Sequence, residues 1–323
     1  FSVQGVGAGA FKLKEWRRGD RIVVDRNDSY RRGPVYLDQV TLRPVPDAQT
    51  RYASLVAGNI DVIVNAAARD VIEAQKQKSL QVLNPGSLGT LFIQINLSAP
   101  DVSDVRVRQA MAYALDRDAY NKAINRGLYK IASTPFGSGL APHEQIDNYP
   151  NFDLAKAKKL VEDYGKPIRI RLVVSAAPAS VLAGQALQQM WKKAGIETEL
   201  VPTEAAQAIK NAFAHDYQVM LFRWAGGTDP DKNVYQFFHS RGSINLVKFN
   251  DPEMDRLLEA GRAVTDKAER LKIYRQISNI LAKELPYLFL TYFENISIAG
   301  AAVHGIVPVA DGLLRVHSAW KAK

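Results

Sequence analysis

The sequence predicts an α/β protein built in two parts, and three observations predict it. Between Asp153 and Trp224, helical and extended patterns alternate in a βαβ-like rhythm, which argues for a sheet covered by helices. A proline-containing joint, Ser98-Ala99-Pro100, separates this region from a mixed α/β segment before it. An apolar strand at Tyr287–Thr291 then returns after the last helix. A length of 323 residues leaves room for two cores of ordinary domain size.

The elements follow in order. Phe11–Trp16 and Arg21–Asp25 read as strands flanking the turn Arg17-Arg18-Gly19-Asp20, with Tyr36–Val45 as a further extended run. Asp47 caps a helix carrying Tyr52, Leu55 and Val56 on one face and stopping at Gly58. Ile60–Val64 is a strand, Asp70–Lys78 a short helix and Leu91–Leu97 another strand. After the joint, Ser103 or Asp104 caps a helix whose Val107, Ala110, Met111, Ala114 and Leu115 share a face. A loop rich in Gly and Pro covers 130–150. Asp153 then caps a helix that ends at Gly165. Strands at Ile168–Ser175, Ile196–Val201 and Tyr217–Trp224 alternate with helices at Val181–Ala194 and Ala205–Ala214. Asp251-Pro252 and Asp266 with Glu269 open two more helices, and Pro286 ends the second.

Composition excludes several classes. Hydrophobic residues make up 47% and charged residues 23%, so the chain is globular, and no apolar run approaches the roughly 20 residues that span a bilayer. There is no cysteine, which removes disulfides, thiolate metal sites and cysteine nucleophiles. The net charge is +9, but Glu15, Asp20, Asp25, Asp28, Asp38 and Asp47 interleave with the basic residues of the first fifty. Nucleic-acid binding needs an uninterrupted basic face with stacking aromatics or a reading helix, so no nucleic-acid partner is expected.

Few motifs suggest chemistry. Gly5-Val6-Gly7-Ala8-Gly9 precedes a strand, not the helix a phosphate-cradling loop requires. Asp229-Pro230-Asp231-Lys232-Asn233 begins like a calcium loop, yet Val234 stands where the turn needs Gly and Ser240 where a bidentate Glu belongs. An Asp before Pro starts a turn, and Asp231 could cap the element after it. None of His143, His215, His239, His304 and His317 pairs at helical spacing, and His143-Glu144 lacks a second His. Neither a metal, a cofactor nor an enzymatic activity is expected. The suggestive segment is Phe222 to Asp231, where a strand ends at Trp224 and small residues permit close approach to the backbone. It reads either as a core tryptophan followed by a plain loop or as a ligand wall beyond a strand's carboxyl end.

With these pieces in order, the chain resembles the extracytoplasmic solute-binding proteins of ABC importers, dipeptide/oligopeptide/nickel class (solute-binding protein family 5). The matching residues are Val6-Gly-Ala-Gly-Ala-Phe-Lys-Leu, Trp16-x-x-Gly-Asp-Arg-Ile, and Arg26-Asn27-x-x-Tyr30 with Gly33-Pro34-x-Tyr-Leu-Asp38. They continue with Asp47-x-x-Thr-Arg, Ala57-Gly58-x-Ile-Asp61, Asn96, Asp104-Val-Arg-Val-Arg-Gln-Ala110 and Ala114-Leu-Asp-Arg117. Trp224 to Asp231, Phe249-x-Asp-Pro-Glu-Met-Asp255 and Arg270-x-x-x-Tyr274 complete the set.

The resemblance implies a two-lobed, type II periplasmic-binding-protein-like α/β fold that closes on a ligand and presents it to a membrane permease. Lobe one would be 1–97 with 292–323 and lobe two 98–291, hinged near Asn96, Pro100, Tyr292 and Glu294. The N-terminal part of lobe one and a small extra domain of the family would be absent. The ligand, in the periplasm, would be a peptide or peptide-like solute held by Arg223, Trp224, Gly226, Gly227, Thr228 and Asp229. A metal chelate, opine or sugar is the alternative, as is a periplasmic interaction or chaperone-like module. Peptide-binding members place an Asp shortly after the Trp for the ligand's ammonium group. Here Ala225, Gly226 and Gly227 fill that stretch and Asp229 is the first carboxylate.

Overall fold

A computed structural model describes residues 7–143, 146 and 148–322. Gly5 and Val6 of the glycine-rich turn, and Glu144, lie outside the described residues. The chain divides into two compact units, Phe1–Gly86 with Glu294–Lys323, and Ser87–Phe293.

The first unit opens with β1 (Phe11–Arg17) and β2 (Arg21–Arg26), an antiparallel hairpin. Gly19 turns it at φ +77°, and the Asp20 N–H donates to the Arg17 carbonyl at 3.1 Å. β3 (Gln39–Leu42) pairs with β2 and is shorter than the extended run expected there. Pro44 and Pro46 follow it, and proline has no N–H for a ladder. α1 (Ala48–Val56) starts at Asp47, whose carboxylate accepts from the Thr50 N–H at 2.7 Å. β4 (Val62–Ile63), α2 (Ala68–Ala74) and β5 (Leu80–Leu83) complete this stretch.

The second unit begins with β6 (Gly89–Ile95), then α3 (Val105–Tyr113), capped by Asp104, and α4 (Arg117–Asn125), capped by Asp116. α4 was not expected, because polar Asn121 lies on its buried face beside Tyr120 and blurs the apolar stripe. α5 (Leu154–Tyr164) runs from Asp153 to Gly165 at φ +76°. The predicted alternation follows as β7 (Ile168–Ser175), α6 (Pro178–Lys193), β8 (Ile196–Thr203), α7 (Ala205–Phe213) and β9 (Val219–Trp224). After a 3₁₀ turn at Pro230–Asn233 come α8 (Tyr235–Phe238), α9 (Pro252–Ala263), α10 (Lys267–Glu284) and β10 (Tyr287–Phe293).

These strands form one sheet in the order β10-β6-β9-β7-β8. β7 is parallel to β8 and β9, whereas β6 is antiparallel to both β9 and β10. The lobe boundaries expected at 97/98 and 291/292 are therefore displaced to 86/87 and 293/294. Leu91–Ile95 is a nearly unbroken apolar run, which suits a strand covered on both faces. It sits inside the second sheet, and Pro100 marks only the approach to α3. Under the sheet lies an aromatic core in which Phe92 stacks on Tyr287 with centroids 4.2 Å apart and Phe238 meets Tyr287 edge-on at 4.7 Å.

The chain then re-enters the first unit. β11 (Ser297–Gly300) inserts between β4 and β5, antiparallel to both, and β12 (Val303–His304) pairs with β13 (Trp320–Lys321).

Trp191 anchors the helical cover of the second sheet. It is wholly buried on α6, one turn from Leu187, and its indole N–H donates to the Met111 carbonyl at 3.1 Å. Truncating it leaves a large void and an unpaired carbonyl. Trp191→Ala should cost roughly 3–5 kcal/mol in urea unfolding, and a loss under about 1 kcal/mol would place the indole outside the core.

Candidate functional site

At the end of β9 the chain turns through Ala225, Gly226 and Gly227, and at Gly226 it packs onto Leu88 with no room for a side chain. Gly226 has φ +84° and bridges Leu88 in parallel fashion; a Cβ on it would collide with the Leu88 backbone. A Cβ on Gly89 would collide with the Trp224 carbonyl oxygen. A third segment closes against the same loop: the Gly137 N–H donates to the Leu88 carbonyl at 3.2 Å and the Gly139 N–H to that of Ser87 at 2.7 Å.

Asn233 ties the three segments together. Its side chain is buried, its Nδ2 donates to the carbonyls of Leu88 at 2.7 Å and Pro135 at 3.4 Å, and its Oδ1 accepts from the Gly227 N–H at 2.9 Å. A buried amide that fills both ends of its bonding capacity fixes the backbone groups it touches.

The acidic residues of the turn are already engaged. Asp229 receives Arg270 through two bonds at 2.7 and 3.1 Å, and accepts from the Asp231 N–H at 2.9 Å to cap the 3₁₀ turn. The Arg270 hydrogen bonds hold its carboxyl below the usual carboxylate range. Asp231, expected as the cap, instead pairs with Arg262 at 2.8 and 2.9 Å. Asp229 is thus not the free ligand contact that the sequence suggested.

Trp224 is half-buried, standing edge-on to Phe237 at 5.0 Å, and its indole N–H is buried without an acceptor. Arg223 was grouped with it, but strand alternation sends neighbouring side chains to opposite faces. The Arg223 guanidinium lies 4.4 Å over the Phe293 ring, where desolvation pulls its pKa down, and no carboxylate among the described residues pairs with it. Thr228 is exposed, and Gly227 is covered by the stem of Lys232, whose Cβ and Cδ would lie 2.6 and 2.7 Å from an added Cβ. Among the described residues, no group of His, Asp or Glu is arranged to hold a metal.

Residues 1–245 match the family described as bacterial extracellular solute-binding proteins, family 5 Middle. The chain belongs to this family. It is 29% identical over 313 residues to heme-binding protein A of Haemophilus influenzae, and 30% identical over 312 residues to oligopeptide-binding protein AppA of Bacillus subtilis. Those matches cover 94% and 90% of this chain but 57% of each relative, so the chain spans little more than half their length. The solved structure of Bacillus subtilis AppA in complex with a nonapeptide superposes with a TM-score of 0.87 at 27% identity, covering 98% of this chain and 66% of that one. The fold class expected from the sequence, that of the family 5 binding proteins, is the one found.

For this family 5 chain the expected hinge residues divide. Asn96 is buried in the second unit, where its Nδ2 donates to the carbonyls of His215 and Tyr217, both at 3.0 Å. The Pro100 carbonyl accepts from Gln218 of the same unit at 3.4 Å. Neither stands at a crossing, because β6 has already joined the second sheet. Tyr292 is buried near the end of β10, and Glu294 opens the return to the first unit, accepting from Asn84 at 2.6 Å. The roles of Asn233 and Arg270 at this turn escaped the sequence reading. An Asn after a turn gives no sign of burial, and Arg270 reaches Asp229 across 41 residues.

The turn makes a testable comparison. Gly226→Ala forces a Cβ onto backbone at a left-handed φ, and Gly165→Ala has the same backbone conformation with open space around it. Gly165→Ala should cost only about 1–2 kcal/mol, with Gly226→Ala costing more. Asn233→Ala strands buried groups at roughly 1–3 kcal/mol. Guanidinium chloride midpoints measure all three, and equal values for the two glycine variants would contradict the packing described.

Proposed function

We propose that this chain is the solute-receiving portion of an extracytoplasmic receptor, periplasmic in a bacterium, that binds a peptide or peptide-like solute at the β9 turn. It delivers the solute, chemically unaltered, to the permease subunits of an ABC importer. Membership of a family of solute-binding proteins supports the class of activity. The observation that carries the location is the buried, acceptor-less indole N–H of Trp224 beside a turn held rigid by Asn233. Tryptophan N–H groups normally find a partner when buried, and a bound solute supplies one.

Sheet topology supports the same place. β9 ends the parallel set β8-β7-β9 and meets antiparallel β6, so its carboxyl end lies where strand direction switches. In open α/β sheets, ligands gather beyond the carboxyl ends of strands at such switch points. A planar indole there stacks on amide planes or rings at low entropic cost.

The turn's chemistry favours a solute rich in acceptors. Its carboxylates are consumed by Arg270 and Arg262, while Trp224, Thr228 and Lys232 present donors. Acceptor groups of a solute are satisfied there; an unpaired ammonium would be stranded at a cost of several kcal/mol. The same donor set suits a non-peptide solute rich in acceptors, such as a chelate, an opine or a sugar.

Calorimetry with free and N-acetylated forms of one oligopeptide tests the reading. Acetylation removes the stranded ammonium and should raise affinity by tenfold or more, whereas a tenfold loss, about 1.4 kcal/mol, would reveal an ammonium partner and overturn it. Trp224→Phe keeps the ring against Phe237 and removes the N–H. It should weaken binding by about 0.5–1.5 kcal/mol without lowering the melting temperature. Mass spectrometry of the released solute should return it unchanged.

A further inference from the structure

Arg223 differs from the other arginines of the second unit that lie over aromatic rings. Arg106 on Tyr164, Arg262 on Tyr235 and Arg270 on Tyr274 each also pair with a carboxylate, that of Asp104, Asp231 and Asp229 respectively. Arg117 on Tyr149 donates to the carbonyls of Ala132 and Pro150. The Arg223 guanidinium lies 4.4 Å over the Phe293 ring and, among the described residues, has neither an ion pair nor a hydrogen-bond acceptor. Glu294, next to Phe293 in sequence, accepts from Asn84 at 2.6 Å instead.

Strand register explains the placement. Arg223 stands opposite Leu91 and Phe293 opposite Gly89, two residues apart on β6 and so on one face of the sheet. Gly89 puts no side chain between them, and the arginine stem crosses β6 to reach the ring. The residue nevertheless remains exposed, near the carboxyl end of β9. A guanidinium resting on a ring keeps all its N–H donors, and their planar fork fits a carboxylate through two parallel bonds.

Taking the β9 turn as the solute site, as proposed above, we infer that Arg223 is its carboxylate anchor, so that the solute carries a carboxylate and no free ammonium. Arg223 and Trp224 face opposite ways at the end of one strand. A solute lying across that end meets both, a carbonyl at the indole N–H and a carboxylate at the guanidinium. A peptide of a few residues, rising about 3.3 Å per residue, has the length for this. Asp229 and Asp231 are held by Arg270 and Arg262, so neither competes for Arg223 and neither answers an ammonium. An N-acylated peptide acid therefore suits the site better than a zwitterionic peptide.

Calorimetric titration of the full chain with N-acetyl-trialanine and its C-terminal amide tests the assignment, with inorganic phosphate as a comparator. The acid should bind about tenfold more tightly than the amide, as expected for a charge-assisted bond. Arg223→Gln should erase that difference, while the melting temperature of the unliganded protein stays within about 3 °C, because the guanidinium holds no hydrogen bond of the fold. Arg223→Lys keeps the charge without the fork and should retain only part of the preference. The amide of N-acetyl-Ala-Ala-Glu, whose carboxylate is on a side chain, should bind like the acid if any carboxylate serves and like the trialanine amide if only the terminal one does. Trp224→Phe should weaken acid and amide alike. Equal binding of acid and amide, a preference that survives Arg223→Gln, or phosphate binding as tightly as the acid would each overturn the carboxylate anchor and leave the solute site standing. Binding of neither peptide would overturn both.

Discussion

The packing of the turn that follows β9 rests on the side-chain amide of Asn233. Three separate stretches of chain, at residues 87–89, 135–139 and 225–227, approach one another with their backbones nearly in contact. Such approach leaves carbonyl and N–H groups facing inward, where water does not reach them. One amide, with two donors and an acceptor, satisfies Leu88, Pro135 and Gly227 together. The 3₁₀ turn that presents Asn233 is held in its turn by Asp229 at its start, and Asp229 by Arg270 from α10. A chain of charge-assisted bonds thus runs from a helix to the shape of a loop.

The glycines complete that arrangement by subtraction. Gly89, Gly137 and Gly226 each stand where a methyl group would overlap backbone atoms of a neighbouring segment. Backbone cannot swing aside as a flexible side chain does, so these positions admit no compromise. Gly227 differs, since its neighbour is the aliphatic stem of Lys232. A side chain introduced at 227 would have to displace that stem.

Much of the fold was legible in the sequence because its signals are local. Asp47, Asp104, Asp153, Asp251 and Asp266 each cap the helix they precede, and the βαβ rhythm from Ile168 to Trp224 appears in the sheet as read. What escaped depends on distance along the chain. Pro100 resembled a domain joint, but the pairing of β6 with β9 and β10 settles the boundary, and pairing over more than a hundred residues leaves no local trace. The candidate site divides in the same way. Trp224 and its glycines announced themselves by type and spacing, whereas Asp229 appeared available because Arg270 is remote. Arg223 and Trp224 looked like one pair, although the strand's period of two separates them.

The placement of β11 has a consequence for biosynthesis. β4 and β5 do not pair with each other; both wait for residues 297–300, which leave the ribosome after the whole of the second unit. The second unit, by contrast, is one contiguous stretch whose first and last strands are neighbours, with Gly89 opposite Phe293. Domains fold as units during synthesis, so the inserted unit can complete its sheet while the first still lacks its central strand. A nascent chain stopped before residue 297 would therefore carry one finished unit and the open edges of another, and exposed edges are where chaperones and stray strands attach.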